Sequence, residues 1–153
     1  MDDFRFYQSV GQLDNVSAEL VEHAKKATQD AYAPYSRFRV GAALLLDDGT
    51  IVTGTNQENA AFPSGMCAER TALFAAGTQH PGKKILKLVV VALPVDATDL
   101  VPATCCGGCR QVMVEYETRQ GRNYEVTMMG NDGQWIVSRS ASALLPFSFV
   151  LKN

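Results

Sequence analysis

Apolar residues along this chain follow two rhythms, and the alternation between them outlines the fold. Leu20, Val21, Ala24, Ala27 and Ala31 recur at helical spacing behind Asn15 or Ser17, either of which can cap a helix. Pro34 has no N–H and disfavours helical geometry just before it, so the helix is predicted to stop there. Val40 to Leu46 is a nearly unbroken apolar run of strand length, the pattern of a strand covered on both faces. Asp47-Asp48-Gly49 predicts a tight turn, with Ile51 to Thr55 returning as the partner strand. A polar loop from Asn56 to Met66 follows. From Cys67 the spacing becomes helical again (Ala68, Thr71, Ala72, Ala75, Ala76) and stops near Gly77. Ile85 to Leu93 is the most apolar and β-branched stretch, which predicts a central strand.

The segment from Gly107 to about Thr118 carries Val112, Met113 and Tyr116 at helical spacing. Tyr124 to Met129 and Trp135 to Val137 read as strands joined by Asn131-Asp132-Gly133, a hairpin signal, with Trp135 in the core. Ser140 would cap a last helical turn ending at Leu144-Leu145-Pro146. Residues 1 to 14, with Phe4, Phe6 and Tyr7 but no clear period, read as an arm or short strand packed on the body. Five strands are thus counted, alternating with helices, which implies an α/β sandwich with helices on the faces of a mixed sheet. No repeat or linker divides residues 1–153, so one domain is expected.

Composition narrows the function classes. Apolar content of 46% and charged content of 20% argue against disorder. A formal charge of -2 without a basic block disfavours a polynucleotide partner. No apolar run approaches a membrane span, and Met1-Asp2-Asp3-Phe4-Arg5 does not read as a signal peptide. Clustered free thiols without such a signal point to a reducing, cytoplasmic setting in which cysteines bind metal or do chemistry.

The chemistry concentrates between Cys67-Ala68-Glu69-Arg70 and Cys106-Gly107-Gly108-Cys109-Arg110-Gln111. A CxxC-type pair alone suits a redox couple or half of a zinc ribbon. With Cys67 added, three thiolates suit a catalytic zinc whose fourth position is left to water, and Glu69 suits the proton carrier. Both thiol motifs sit where a strand or loop gives way to a helix, so two helix N-termini can converge on one ion. Three thiolates on a dication leave one net negative charge. The helix N-termini, and Arg70 donating to the sulfurs, would offset it. Burial should raise the Glu69 pKa, as a group that takes up and returns a proton requires. Arg110 and Gln111 read as structural.

These segments resemble the cytidine deaminase family in its short, three-cysteine form. The resemblance runs from about Ala31 to Phe149 through Ala31-Tyr32-Ala33-Pro34-Tyr35-Ser36-Arg37-Phe38, Val40-Gly41-Ala42-Ala43-Leu44, Asn56-Gln57-Glu58-Asn59-Ala60-Ala61, the two thiol motifs and Leu144-Leu145-Pro146. It implies a three-layer α/β/α sandwich on a mixed five-stranded sheet. The implied activity is hydrolytic deamination of cytidine and deoxycytidine, with Zn2+ on Cys67, Cys106 and Cys109 and Glu69 moving protons. It further implies that Asn56 and Glu58 contact the ribose, chiefly its 3′-hydroxyl, and that Phe38 stacks on the pyrimidine. The Ala68 N–H would meet the base, and the Thr104 carbonyl would lie near the departing amino group. Phe149 would complete a neighbour's site in a homotetramer. Two departures stand out: Cys105 occupies a place where the family usually has Pro, and Phe62-Pro63 one where it often has tyrosine. For Cys105 a packed bystander, a competing ligand and an oxidation-prone thiol all stay open. The rival functions are deamination of a cytosine-bearing antibiotic, as in the related blasticidin S deaminases, a structural zinc or redox module, and polynucleotide editing.

Overall fold

The computed structural model describes residues 2–152. Six strands form one sheet: β1 (Phe4–Tyr7), β2 (Phe38–Leu46), β3 (Ile51–Thr55), β4 (Ile85–Pro94), β5 (Glu125–Met129) and β6 (Trp135–Ser138). Three helices accompany them: α1 (Asn15–Ala27), α2 (Ala68–Gln79) and α3 (Gly107–Gln120). The strand order is β1-β6-β5-β4-β2-β3, so β4 is one of the two central strands. The β4–β5 pair is parallel and every other pair antiparallel, a mixed sheet.

Both faces of the sheet are covered, which explains the unbroken apolar runs of β2 and β4. Leu20, Val21 and Ala24 of α1 pack with Ala43, Val89, Val91 and Val137 on one face. Ala72, Leu73, Met113 and Val114 of α2 and α3 pack with Ala42, Leu44, Leu88, Val90 and Val126 on the other. Successive residues of β2 and β4 thus point to opposite layers, as a pleat requires. Two glycines set how near the helices come. A side chain at Gly41 would lie 2.0 Å from the Ala24 carbonyl oxygen of α1, and one at Gly54 would lie 2.4 Å from the Ala72 nitrogen of α2.

Three expectations shift. The sheet has six strands rather than five, because Phe4–Tyr7 pairs with β6 and Arg5 ion-pairs with Glu125. The cap of α1 is Asp14, not Asn15 or Ser17: its carboxylate accepts from the Ser17 N–H at 2.9 Å and hydroxyl at 2.7 Å. The same carboxylate meets Lys87 Nζ of β4 at 3.0 Å. Finally α1 ends at Ala27, short of Ala31 and Pro34, and passes into a 3-10 turn over Thr28–Asp30, where the Thr28 hydroxyl donates to the Lys25 carbonyl at 2.7 Å.

Candidate active site

The N-termini of α2 and α3 meet, and each is preceded by a cysteine. Cys67 is the extended residue before α2 and Cys106 the one before α3. Cys106 Sγ accepts from the Cys109 N–H at 3.5 Å, so this sulfur does the work of a helix cap. Cys109 lies one turn into α3 and is fully buried. The three Sγ atoms lie within 4.8 Å of one another.

That triangle fits a zinc ion. Tetrahedral zinc with bonds of about 2.3 Å separates its sulfurs by about 3.8 Å. Two helix N-termini and the Arg70 guanidinium, whose Nη2 donates to Cys67 Sγ at 3.3 Å, favour thiolate there. The Cys67 pKa falls to about 5, first through a hydrogen bond from the Cys109 thiol and then through Arg70. Cys109 moves up in exchange, first through its bond to Cys67 and then through burial. Arg70 is itself raised by its bond to Cys67.

Glu69 lies beside the triangle, 4% exposed, with Oε2 3.6 Å from Cys109 Sγ. Burial pushes its pKa up, and the Cys67 charge adds to that. Cys105 is not one of the three clustered sulfurs. It is buried in the core packed against α2 and α3, and burial together with the Glu69 charge holds it well up as a neutral thiol. The geometry favours the packed bystander over the competing ligand.

A cavity of about 750 Å³ opens onto this chemistry. Phe38, Asn56, Glu58, Ala68 and Thr104 all line it, together with Cys67, Glu69, Arg70 and Cys106. Asn56 and Glu58 already have partners within the chain. The Asn56 side chain accepts from the Val40 N–H and donates to the Phe38 carbonyl, both at 2.8 Å. Glu58 accepts from the Tyr35 and Ser36 amides at 3.2 Å and from the Ser36 hydroxyl. The Ser36 hydroxyl, then the flanking amides, keep the Glu58 pKa down. Phe149 does not line the cavity; it is 70% exposed, with its carbonyl held by Gln111 Nε2 at 2.8 Å.

The model of the cytidine and deoxycytidylate deaminase zinc-binding region matches residues 14–121. The chain belongs to the cytidine deaminase family. It is 41% identical over 134 residues to a cytidine deaminase of Halalkalibacterium halodurans, spanning 88% of this chain and 94% of that protein. A cytidine deaminase of Sporosarcina psychrophila is 39% identical over 131 residues, 86% of this chain and 89% of that protein. The crystal structure of cytidine deaminase from Burkholderia pseudomallei superposes with a TM-score of 0.71 at 42% identity, covering 86% of this chain and 97% of that one. All three cysteines and Glu69 fall inside the stretch matched by the cytidine deaminase model; Phe149 falls outside it.

Sequence reasoning missed two side chains of this cytidine deaminase fold, Glu117 and Ser36, whereas Arg110, read as structural, makes main-chain contacts of that kind. Arg110 donates from Nε to the Cys105 carbonyl at 2.9 Å and from Nη1 to the Leu144 carbonyl at 3.1 Å, tying the sulfur loop to the C-terminal segment. Glu117 is buried and accepts from the Ala141 N–H at 2.7 Å and the Ser142 hydroxyl at 2.5 Å. Ser36 bonds Glu58 and the main chain of Phe38. The Glu117 and Ser36–Glu58 partnerships span more than twenty residues of chain, so no local signal marks them.

Proposed function

We propose that this protein is a zinc-dependent hydrolase that converts cytidine and deoxycytidine to uridine and deoxyuridine with release of ammonia. The observation that carries the reading is a buried carboxylate, Glu69, beside three clustered sulfurs, two of which, with Glu69, line a cavity with room for a nucleoside. Zinc held by Cys67, Cys106 and Cys109 would supply a Lewis acid that activates water near neutral pH. Glu69 takes up the proton released and returns it to the ring nitrogen; its raised pKa suits both directions. Arg70 and the two helix N-termini offset the negative charge of the sulfur set. Phe38 offers its ring to the base, the Ala68 amide and the Thr104 carbonyl meet the base edge, and Asn56 and Glu58 face the sugar.

The charge of the cavity favours nucleosides over nucleotides. Among the described residues that line it, Arg70 is the only cation, and it is committed to Cys67. A phosphate would meet Glu58 and Glu69 with no free counter-charge. The exposed aromatics Phe62, Phe147 and Phe149 support an assembly in which neighbouring copies cover them, consistent with a homotetramer whose sites lie at subunit boundaries. Among the described residues no helix is long and apolar enough to cross a membrane. A role in cytoplasmic pyrimidine salvage fits this picture.

Loss of cytidine absorbance on conversion to uridine measures turnover directly. Wild-type protein should turn over cytidine and deoxycytidine. Glu69→Ala should abolish this while about one zinc per chain remains bound, with a loss of at least the ~10²–10⁴ typical of general acid–base catalysis. Retained activity in Glu69→Ala overturns the assignment.

A further inference from the structure

The hydrogen bonds around Ser36 link two recognition elements that are distant in the chain. Phe38 opens β2, whereas Glu58 lies in the loop after β3. The Ser36 hydroxyl has one proton and two lone pairs. The Phe38 N–H donates to it at 3.0 Å, so its own proton is left for Glu58 Oε1. Its direction is therefore fixed: the hydroxyl accepts from the segment carrying the ring and donates to the carboxylate. Most of the acceptor capacity of Glu58 is then taken, since the Tyr35 and Ser36 amides also bind it. What remains is oriented and suited to one further donor.

The segment is held in a conformation it would not adopt freely. Arg37, between Ser36 and Phe38, has φ +58, an uncommon value for a residue with a side chain. Three contacts enforce it. The Arg37 amide donates to the Ala33 carbonyl at 2.9 Å, its carbonyl accepts from Val95 at 3.0 Å, and its guanidinium pairs with Asp96 at 2.6 Å. Local strain of this kind persists where the surroundings over-determine it, and here it turns the Ser36 hydroxyl between Glu58 and Phe38.

We infer that Ser36 is a positioning residue for sugar recognition, coupling the Glu58 carboxylate to the main chain of Phe38 so that sugar contact and stacking face are set together. This rests on the nucleoside reading above. Ser36 touches no reacting atom in this scheme, so its loss falls on binding and not on the proton transfers of Glu69.

The test is steady-state kinetics of the zinc-loaded Ser36→Ala and Ser36→Thr proteins with cytidine and its 2′-, 3′- and 5′-deoxy analogues. In Ser36→Ala the KM for cytidine should rise about tenfold, the scale of one hydrogen bond to a charged group, with kcat unchanged. Ser36→Thr keeps the hydroxyl and should restore KM. The penalty should vanish for the one analogue that lacks the hydroxyl met by Glu58. An unchanged KM in Ser36→Ala overturns the inference, as does an equal penalty on every analogue, which would mean a merely loosened loop. Zinc-loaded wild-type protein that turned over no cytosine nucleoside would overturn the nucleoside reading and this inference with it. Wild-type turnover with an indifferent Ser36→Ala overturns the inference alone.

Discussion

Replacing Gly54 by alanine tests how the sulfur triangle is held in register. The added Cβ would lie 2.4 Å from the Ala72 nitrogen, 2.6 Å from the Ala68 carbonyl oxygen and 2.9 Å from Ala72 Cα. All three are backbone atoms of α2, so no flexible side chain can yield. Ordinary contact begins at 3.4 Å, and α2 must therefore retreat from β3 by about 1 Å. Cys67, Ala68 and Glu69 move with it, whereas Cys106 and Cys109 ride on α3 and stay. Zinc–sulfur distances tolerate about 0.2 Å. Overpacking should cost about 1–3 kcal/mol, a fall in Tm of roughly 2–12 °C. A misplacement of about 1 Å at the chemistry should lower cytidine turnover by about 10²-fold.

Zinc retained after dialysis against a weak chelator should fall in parallel. Two controls separate the causes. Gly11→Ala meets only Ser9 Oγ at 3.8 Å and should behave as wild type. Gly41→Ala collides with the Ala24 carbonyl on the opposite layer, so it should lose stability with a smaller loss of zinc. A Gly54→Ala protein with wild-type melting, full zinc and full turnover would refute the claim that this contact registers the site.

Asp14→Ala should lower stability at neutral pH by about 1 kcal/mol, the usual worth of an N-cap, a figure that already allows for solvent screening of its half-exposed carboxylate. Burial acts to raise the Asp14 pKa, but the Ser17 and Lys87 hydrogen bonds outweigh it and hold it at about 2. A depressed carboxylate stabilises the fold above its unfolded pKa and loses that contribution as pH falls through the folded one. The difference between variant and wild type should therefore be full above about pH 4 and disappear towards pH 2, as urea unfolding across that range would register. Cys105→Ala should leave zinc at about one per chain, since Cys105 stands outside the cluster; a loss of zinc by metal analysis would make Cys105 a ligand.

The features legible in the sequence were those set by neighbouring residues. Gly49 and Gly133 turn at φ +87 and +81, as the Asp-Gly steps at 48–49 and 132–133 implied. The periodicity of Leu20, Val21 and Ala24 marked the buried face of α1. Three sulfurs and a carboxylate marked out in the sequence are the groups the structure brings together. What escaped was set across the chain. Asp14, Asn15 and Ser17 are all good caps, and Lys87 on β4 reaches both the Asp14 carboxylate at 3.0 Å and the Ser17 hydroxyl oxygen at 3.1 Å, a junction that joins residues seventy or more apart in the chain. β1 is four residues long and shows no in-out alternation, so only its pairing with β6 marks it as a strand. Asn56 and Glu58 were expected to await the sugar, yet they also brace Phe38 and Ser36, partnerships that no local pattern reveals.

The interior beneath the cysteines has a bearing on how the centre is filled. Leu44, Leu73, Leu88, Met113 and Tyr124 are fully enclosed and owe nothing to an ion. In a zinc finger the metal substitutes for a hydrophobic interior, and stripping it unfolds the chain. Here the two helices are seated by their own oily contacts, so chelation closes a socket that folding has already built. Depletion of the ion should silence the protein without destroying it, and resupply should restore it without a chaperone.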